Sequence, residues 1–118
     1  MTGVQTCALP ISFTTAAYVQ AVTLPAIERG FAAGGRTRAD FEISYPVFVA
    51  TGTDDESWDR ARVGTKAQIA FYGSTPGYRG VLEQHGWGEV GDELNRLSKQ
   101  GEWETMGTLI TEIGRAHV

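Results

Sequence analysis

Phe41-Glu42-Ile43-Ser44-Tyr45-Pro46-Val47-Phe48-Val49-Ala50 is the stretch on which the fold turns. Phe41, Ile43, Tyr45, Val47 and Val49 alternate with Glu42, Ser44, Pro46, Phe48 and Ala50. A period of two places alternate side chains on opposite faces, so the spacing predicts a strand. Its second half is apolar on both faces, the pattern of a strand buried between layers. Pro46 has no N–H to give to a ladder, which counts against a regular central position. Gly52 ends the strand.

Outward from this stretch, the rest reads as helix. Upstream, Thr14 or Thr15 is placed to cap a helix running to about residue 33, with Tyr18, Val22, Ile27 and Phe31 on one buried face. Pro25 falls inside that run and should kink or divide it near Thr23. Gly34-Gly35 supplies the stop. Downstream, Thr53-Asp54-Asp55-Glu56 reads as a capping box that opens a helix to about residue 72. Trp58, Ala61, Thr65, Ile69 and Tyr72 trace its inner face. Gly73-Ser74 breaks it, and Thr75-Pro76 starts a helix with proline at its first position, closed at Gly86. Two short helices follow, over 92–100 with Leu94 and Leu97 inward, and over 102–110 with Trp103, Met106 and Ile110 inward. One strand cannot make a sheet. A lone strand among helices is what a slice of a larger parallel-sheet α/β protein should look like.

The composition is that of an ordinary globular chain, 42% hydrophobic and 20% charged over 118 residues. A net charge of −4 with scattered basic residues argues against nucleic acid as a partner. No apolar run approaches the roughly 20 residues needed to span a bilayer, so no membrane partner is expected.

The two ends carry a signal of a different kind. Residues 112–118 and a stop back-translate as GAG ATC GGA AGA GCA CAC GTC TGA. The reverse complement of that DNA encodes, in frame, Gln5-Thr6-Cys7-Ala8-Leu9-Pro10-Ile11 and begins a serine codon. The inverted repeat matches a common short-read sequencing adapter. Residues 1–11 and 112–118 are therefore expected to be adapter-derived, with 12–111 a random piece of a longer gene. Such scars are set aside in reasoning about the fold. The single cysteine, Cys7, goes with them, as does His117. The stretch 12–111 then has no disulfide or thiolate metal site, and His85 is its only histidine.

Within 12–111 the sequence resembles a known family. The resemblance begins at Phe13-Thr14-Thr15, Tyr18, Val22-Thr23-Leu24-Pro25 and Glu28-Arg29-Gly30. It continues through Gly35-Arg36, Asp40-Phe41-Glu42-Ile43, Val47-Phe48-Val49 and Gln68-Ile69-Ala70-Phe71-Tyr72-Gly73-Ser74-Thr75-Pro76. It then runs through Tyr78-Arg79, Val81-Leu82, His85-Gly86-Trp87, Glu93-Leu94-Asn95-Arg96-Leu97-Ser98 and Gly101-Glu102-Trp103. Together these segments resemble the luciferase-like monooxygenase superfamily, in its coenzyme F420-dependent oxidoreductase branch. The blocks 71–76 and 85–87 are the most specific to that branch. The family often has His-Pro-Phe-Thr where Ser12-Phe13-Thr14 stands, and one adapter base over a proline codon would write that serine.

The resemblance implies that the parent is a TIM-type (β/α)8 barrel, with this chain spanning the end of the sixth strand to the insertion before the eighth. As it stands the piece should be mainly helical with one strand. The parent is expected to transfer a hydride between a deazaflavin and a small organic substrate in the cytoplasm, with flavin mononucleotide as the alternative cofactor. The fragment alone is expected to bind no cofactor, to be inactive and to self-associate. A reading from another class is a free-standing helical interaction module with no catalysis, in which the strand would be paired or absent.

Chemistry in TIM-type barrels sits at the C-terminal ends of strands. That position selects Phe13, Thr14, Thr51 and Gly52 as candidate cofactor-lining residues. No residue reads as a catalytic acid or base, and none as a metal ligand. His85 precedes Gly86 at a helix end, where an imidazole commonly serves terminal carbonyls. Asp54, Asp55 and Glu56 open a helix, where acidic residues favour the dipole. Residues 73–77 form a glycine-rich turn that reads as a helix–helix joint before it reads as a phosphate cradle. Arg79, Arg96 and Lys99 read as surface cations, and Trp58 and Trp103 as packing residues.

Overall fold

The computed structural model describes residues 13–111, so the expectation that residues 1–11 and 112–118 are structurally idle lies outside the described residues. The chain divides into two compact units, Met1–Val47 and Phe48–Val118.

In the first unit a helical run begins at Thr15. The Thr15 hydroxyl oxygen accepts the Tyr18 N–H at 3.3 Å, so Thr15 rather than Thr14 is the cap. The run comprises α1 (Ala16–Tyr18), a π turn at Val19–Thr23 and α2 (Leu24–Gly34). The expected division near Thr23 is present and takes the form of that π turn. Its cause is Pro25, which offers no N–H and crowds the preceding turn. The Leu24 N–H reaches back to the Val19 carbonyl and widens the helix by one residue there. Gly35 closes α2 in the left-handed conformation, φ 68°, and the N–H groups of Gly35 and Arg36 both return to the Phe31 carbonyl. A 3-10 turn at Arg38–Asp40 follows, boxed by Thr37 and Asp40. It brings the Phe41 ring to 5.0 Å from that of Phe31, with the Arg36 guanidinium over its face. The expected buried stripe is not buried. None of the residues of α2 is fully covered, and Val22 is exposed.

The expected strand is also corrected. Among the described residues there is no strand, and 41–50 runs as irregular backbone from an extended Phe41. A strand exists by virtue of the partner that takes up its N–H and C=O groups. Here the alternating apolar pattern is present without a ladder, and Val47 and Val49 stand 70% and 72% exposed.

The second unit holds the core. It comprises α3 (Asp55–Gly73), a 3-10 turn (Pro76–Tyr78), α4 (Arg79–Gln84), α5 (Gly88–Lys99) and α6 (Trp103–Thr108). Ala70 of α3, Leu94 and Leu97 of α5, Met106 of α6 and Ile110 beyond it form one cluster, flanked by Ile69, Val90 and Leu109. Leu94, Leu97, Met106 and Ile110 are where the periodicity puts them. Trp58 and Trp103 are not, since both are substantially exposed. The inner line of α3 instead runs through Ala70 and Gly73, and the missing Cβ of Gly73 makes room for Leu94 Cδ1. Gly91 does the same for Leu82, whose Cδ1 would lie 2.9 Å from a Cβ at that position. Gly86 and Gly101 turn the chain between helices at φ 77° and 73°. Among the described residues no helix is long and apolar enough to cross a membrane.

A core this small makes each member count. Leu94 is fully buried, so Leu94→Ala should cost about 3 kcal/mol, within the span for large-to-small core changes. Val63, 68% exposed on α3, should tolerate alanine within about 0.5 kcal/mol. Urea unfolding followed by circular dichroism checks both values.

Candidate functional site

The four candidate cofactor-lining residues fall as two pairs, one in each unit, and each pair is described within its own unit. Phe13 and Thr14 precede the Thr15 cap. Phe13 is 6% exposed. The Thr14 hydroxyl oxygen is buried and has no hydrogen-bond partner among the described residues. A buried hydroxyl without a partner carries a desolvation cost, and a ligand oxygen or nitrogen would offset it.

Thr51 and Gly52 are exposed at the entrance to α3. Gly52 is fixed by sterics. A Cβ there would lie 2.4 Å from the Trp58 nitrogen and 2.7 Å from its Cα. Those are backbone atoms of the first helical turn and cannot swing aside. The glycine at 52 is thus accounted for by the close approach of the chain to α3. The cap itself sits one residue later than the sequence pattern implies. Asp54 is the cap, and its carboxylate accepts the Ser57 N–H at 2.7 Å. In return the Ser57 hydroxyl oxygen accepts the N–H groups of Thr53 and Asp54 at 3.0 and 3.1 Å. Asp54 outcompetes Thr53 because Ser57, three residues on, completes the reciprocal box. The Ser57 backbone N–H, and then its hydroxyl, hold the Asp54 carboxyl below its ordinary value of 3.8.

The other chemical candidates resolve into structural roles. No group of three or more metal-binding side chains occurs among the described residues. The His85 imidazole lies flat on the Trp87 indole, 4.5 Å between centroids and 13° between planes. The glycine-rich turn is a joint: the Ser74 hydroxyl donates to the Phe71 carbonyl at 2.6 Å, and Asn95 Nδ2 donates to the Ser74 carbonyl at 3.0 Å. Sequence reasoning missed Asn95, whose only signal is a polar residue beside the apolar Leu94 line. Arg79 forks onto both oxygens of Asp92, at 2.8 and 3.0 Å, and also meets Glu83. This pairing raises the guanidinium and lowers the Asp92 carboxyl from their ordinary values. Arg96 is held by Glu93 and by Gln100. Arg96 is thus an exposed pair within its own helix, of small energetic worth, while Arg79 ties α4 to α5 through a bidentate bridge.

One feature was not anticipated. Ala67, Gln68, Phe71, Trp103 and Met106 line a shallow groove of about 330 Å³ between α3 and α6. Its walls are the Phe71 and Trp103 rings, 53% and 54% exposed with centroids 6.4 Å apart.

Comparison with known proteins gives the family. The luciferase-like monooxygenase profile matches residues 7–118, and the chain belongs to that family. It is 58% identical over 95 residues to uncharacterized proteins of Mycobacterium bovis and of two strains of Mycobacterium tuberculosis. The alignment covers 80% of this chain, and the chain spans 28% of the length of each of these relatives. No solved structure matches it.

Two measurements check the α3 entrance. Gly52→Ala should lower stability by about 1–3 kcal/mol, as overpacking against an immovable neighbour does. The Asp54 contribution should be complete above pH 3.8 and be lost as pH falls through its lowered folded value. Replacing Asp54 by asparagine, which caps without titrating, should flatten that acid limb in a series of melts.

Proposed function

We propose that this chain is part of a coenzyme F420-dependent oxidoreductase of the luciferase-like family, and that the whole protein transfers a hydride between a deazaflavin and a small organic substrate in the cytoplasm. The observation that carries the reading is the family match over residues 7–118, beside which the segment 41–50 keeps the apolar alternation of a barrel strand, with Val47 and Val49 exposed. The chain spans only 28% of the length of the mycobacterial relatives. The F420 branch rests on the resemblance of the 71–76 and 85–87 blocks, and flavin mononucleotide is the cofactor of the second reading.

In this proposal the residues at the strand ends hold the cofactor. Thr14 fits that role best, through its buried and unpartnered hydroxyl. Phe13 provides an apolar wall beside it. The exposed Thr51 hydroxyl adds a polar contact, and Gly52 keeps the loop tight on α3. The deazaflavin supplies the hydride chemistry when bound. The contribution of this chain is binding and orientation, and its acid–base groups come from elsewhere in the barrel. The proposal also takes residues 1–11 and 112–118 as adapter-derived. The 95-residue alignment with the mycobacterial proteins is no longer than the 100-residue stretch 12–111.

A barrel pocket draws loops from many strands, so the chain alone should show no F420 affinity. Titrating the 118-residue protein with coenzyme F420 by fluorescence, with flavin mononucleotide in parallel, is the test. No binding to the piece, together with F420 binding by the full-length gene product, is the expected pair of results. Micromolar binding by the piece overturns the expectation that it holds no cofactor, and preference of the whole protein for flavin mononucleotide over F420 overturns the branch.

A further inference from the structure

Two contacts fix which way the chain faces as it approaches α3. The Phe48 ring packs on the Tyr72 ring of α3, with centroids 5.8 Å apart. Four residues on, the missing side chain of Gly52 points the same way, since a Cβ there would lie 2.4 Å from the Trp58 nitrogen of α3. Between them the chain forms neither helix nor turn. In extended chain, successive side chains point to opposite sides. Phe48, Ala50 and Gly52 therefore share the side toward α3, and Val49 and Thr51 share the side away from it. Exposure agrees, since Ala50 is half-buried whereas Val49 and Thr51 are exposed.

This facing decides which residues can meet a ligand in the proposed barrel oxidoreductase, and the inference rests on that reading. Barrel strands alternate interior-facing and exterior-facing residues, and the helices ring the outside. The side toward α3 is then the exterior, and the side away from it is the interior. At the C-terminal ends of the strands the interior side opens on the pocket. The geometry points to Val49 as a further pocket residue, an apolar wall against the ring of a flavin-type cofactor, on the same side as Thr51 and one step below it. A β-branched side chain suits that role, because its torsion is already restricted and it loses little freedom when a flat ring settles on it. Gly52 belongs to the opposite side, where the direction a side chain would take is filled by the first turn of α3. The two candidates Thr51 and Gly52 thus divide, one toward the ligand and one toward the helix.

Thiols placed along this stretch read the facing directly. In the full-length gene product, Val49→Cys, Ala50→Cys and Thr51→Cys are alkylated with and without coenzyme F420 or flavin mononucleotide, and the peptide carrying the new thiol is followed by mass spectrometry. With cofactor at about ten times its Kd, the thiols at 49 and 51 should react about tenfold more slowly. The thiol at 50 should react at an unchanged rate. Bound cofactor that fails to protect 49, or protects 50 as strongly, overturns the inference and leaves the oxidoreductase reading standing. Protection of 49 and 51 by flavin mononucleotide alone supports the inference and overturns the F420 branch. A whole protein that binds neither cofactor overturns both. In the 118-residue chain, Phe48→Ser should lower the melting temperature by about 4 °C through the lost contact with Tyr72, and Val49→Ser should leave it unchanged. The reverse order overturns the facing.

Discussion

A strand is the one regular element that cannot satisfy its own backbone. Each residue of 41–50 except Pro46 offers an N–H and a C=O, and a strand pairs these only with a neighbour. In water both groups are solvated, and the chain has no reason to hold a ladder geometry. The apolar side chains of this segment are nevertheless those of an element covered on both faces. The contradiction between a buried pattern and an open position is the central physical fact of the molecule. It is plainest at Val47 and Val49, the two most exposed large hydrophobic side chains of the segment.

The second unit escapes that contradiction because its helices satisfy themselves. The α3, α5 and α6 helices need only side-chain contact, and they obtain it around Leu94 and Met106. Close approach is arranged by omission. Gly73 and Gly91 lack the Cβ atoms that would meet Leu94 and Leu82, so the helices settle against each other at joints where any larger residue would have to displace a leucine. Polar closure accompanies packing there, since Asn95 of α5 takes up the Ser74 carbonyl at the end of α3. Even so, cores of this size rarely supply more than about 3–5 kcal/mol, so the unit sits near the lower limit for independent folding.

What was legible in the sequence follows the same division. Helices with local stop signals were readable: Gly35, Gly86 and Gly101 end them in the left-handed conformation, and Pro25 marks the π turn. Leu94, Leu97, Met106 and Ile110 were readable because their periodicity faces a partner that is present. Trp58, Trp103 and Val22 were misread because their spacing marks a face that is exposed among the described residues. Periodicity reports the face an element is built to bury, and cannot report whether the covering layer is there. The one-residue error at the α3 cap has a local cause, the reciprocity of Ser57 with Asp54. The strand failed as an observed element for the most general reason, since pairing is a property of two segments and the sequence pattern belongs to one.

The candidate site was legible only as a location. The blocks that most closely resemble the F420 branch prove to be packing joints. Gly73 and Ser74 close α3 against α5, and His85 and Trp87 stack on each other at the end of α4. Chemistry in such a fold belongs to groups that stay unpaired until a ligand arrives. By that criterion Arg79, Arg96 and Asp54 drop out, because each is held by neighbours. The Thr14 hydroxyl remains, buried and without a partner among the described residues. A neutral hydroxyl can orient a bound ring but cannot drive a proton transfer near neutral pH. In the proposed oxidoreductase this part of the chain therefore positions the cofactor, and the choice between deazaflavin and flavin is made by the groups that complete the pocket around it.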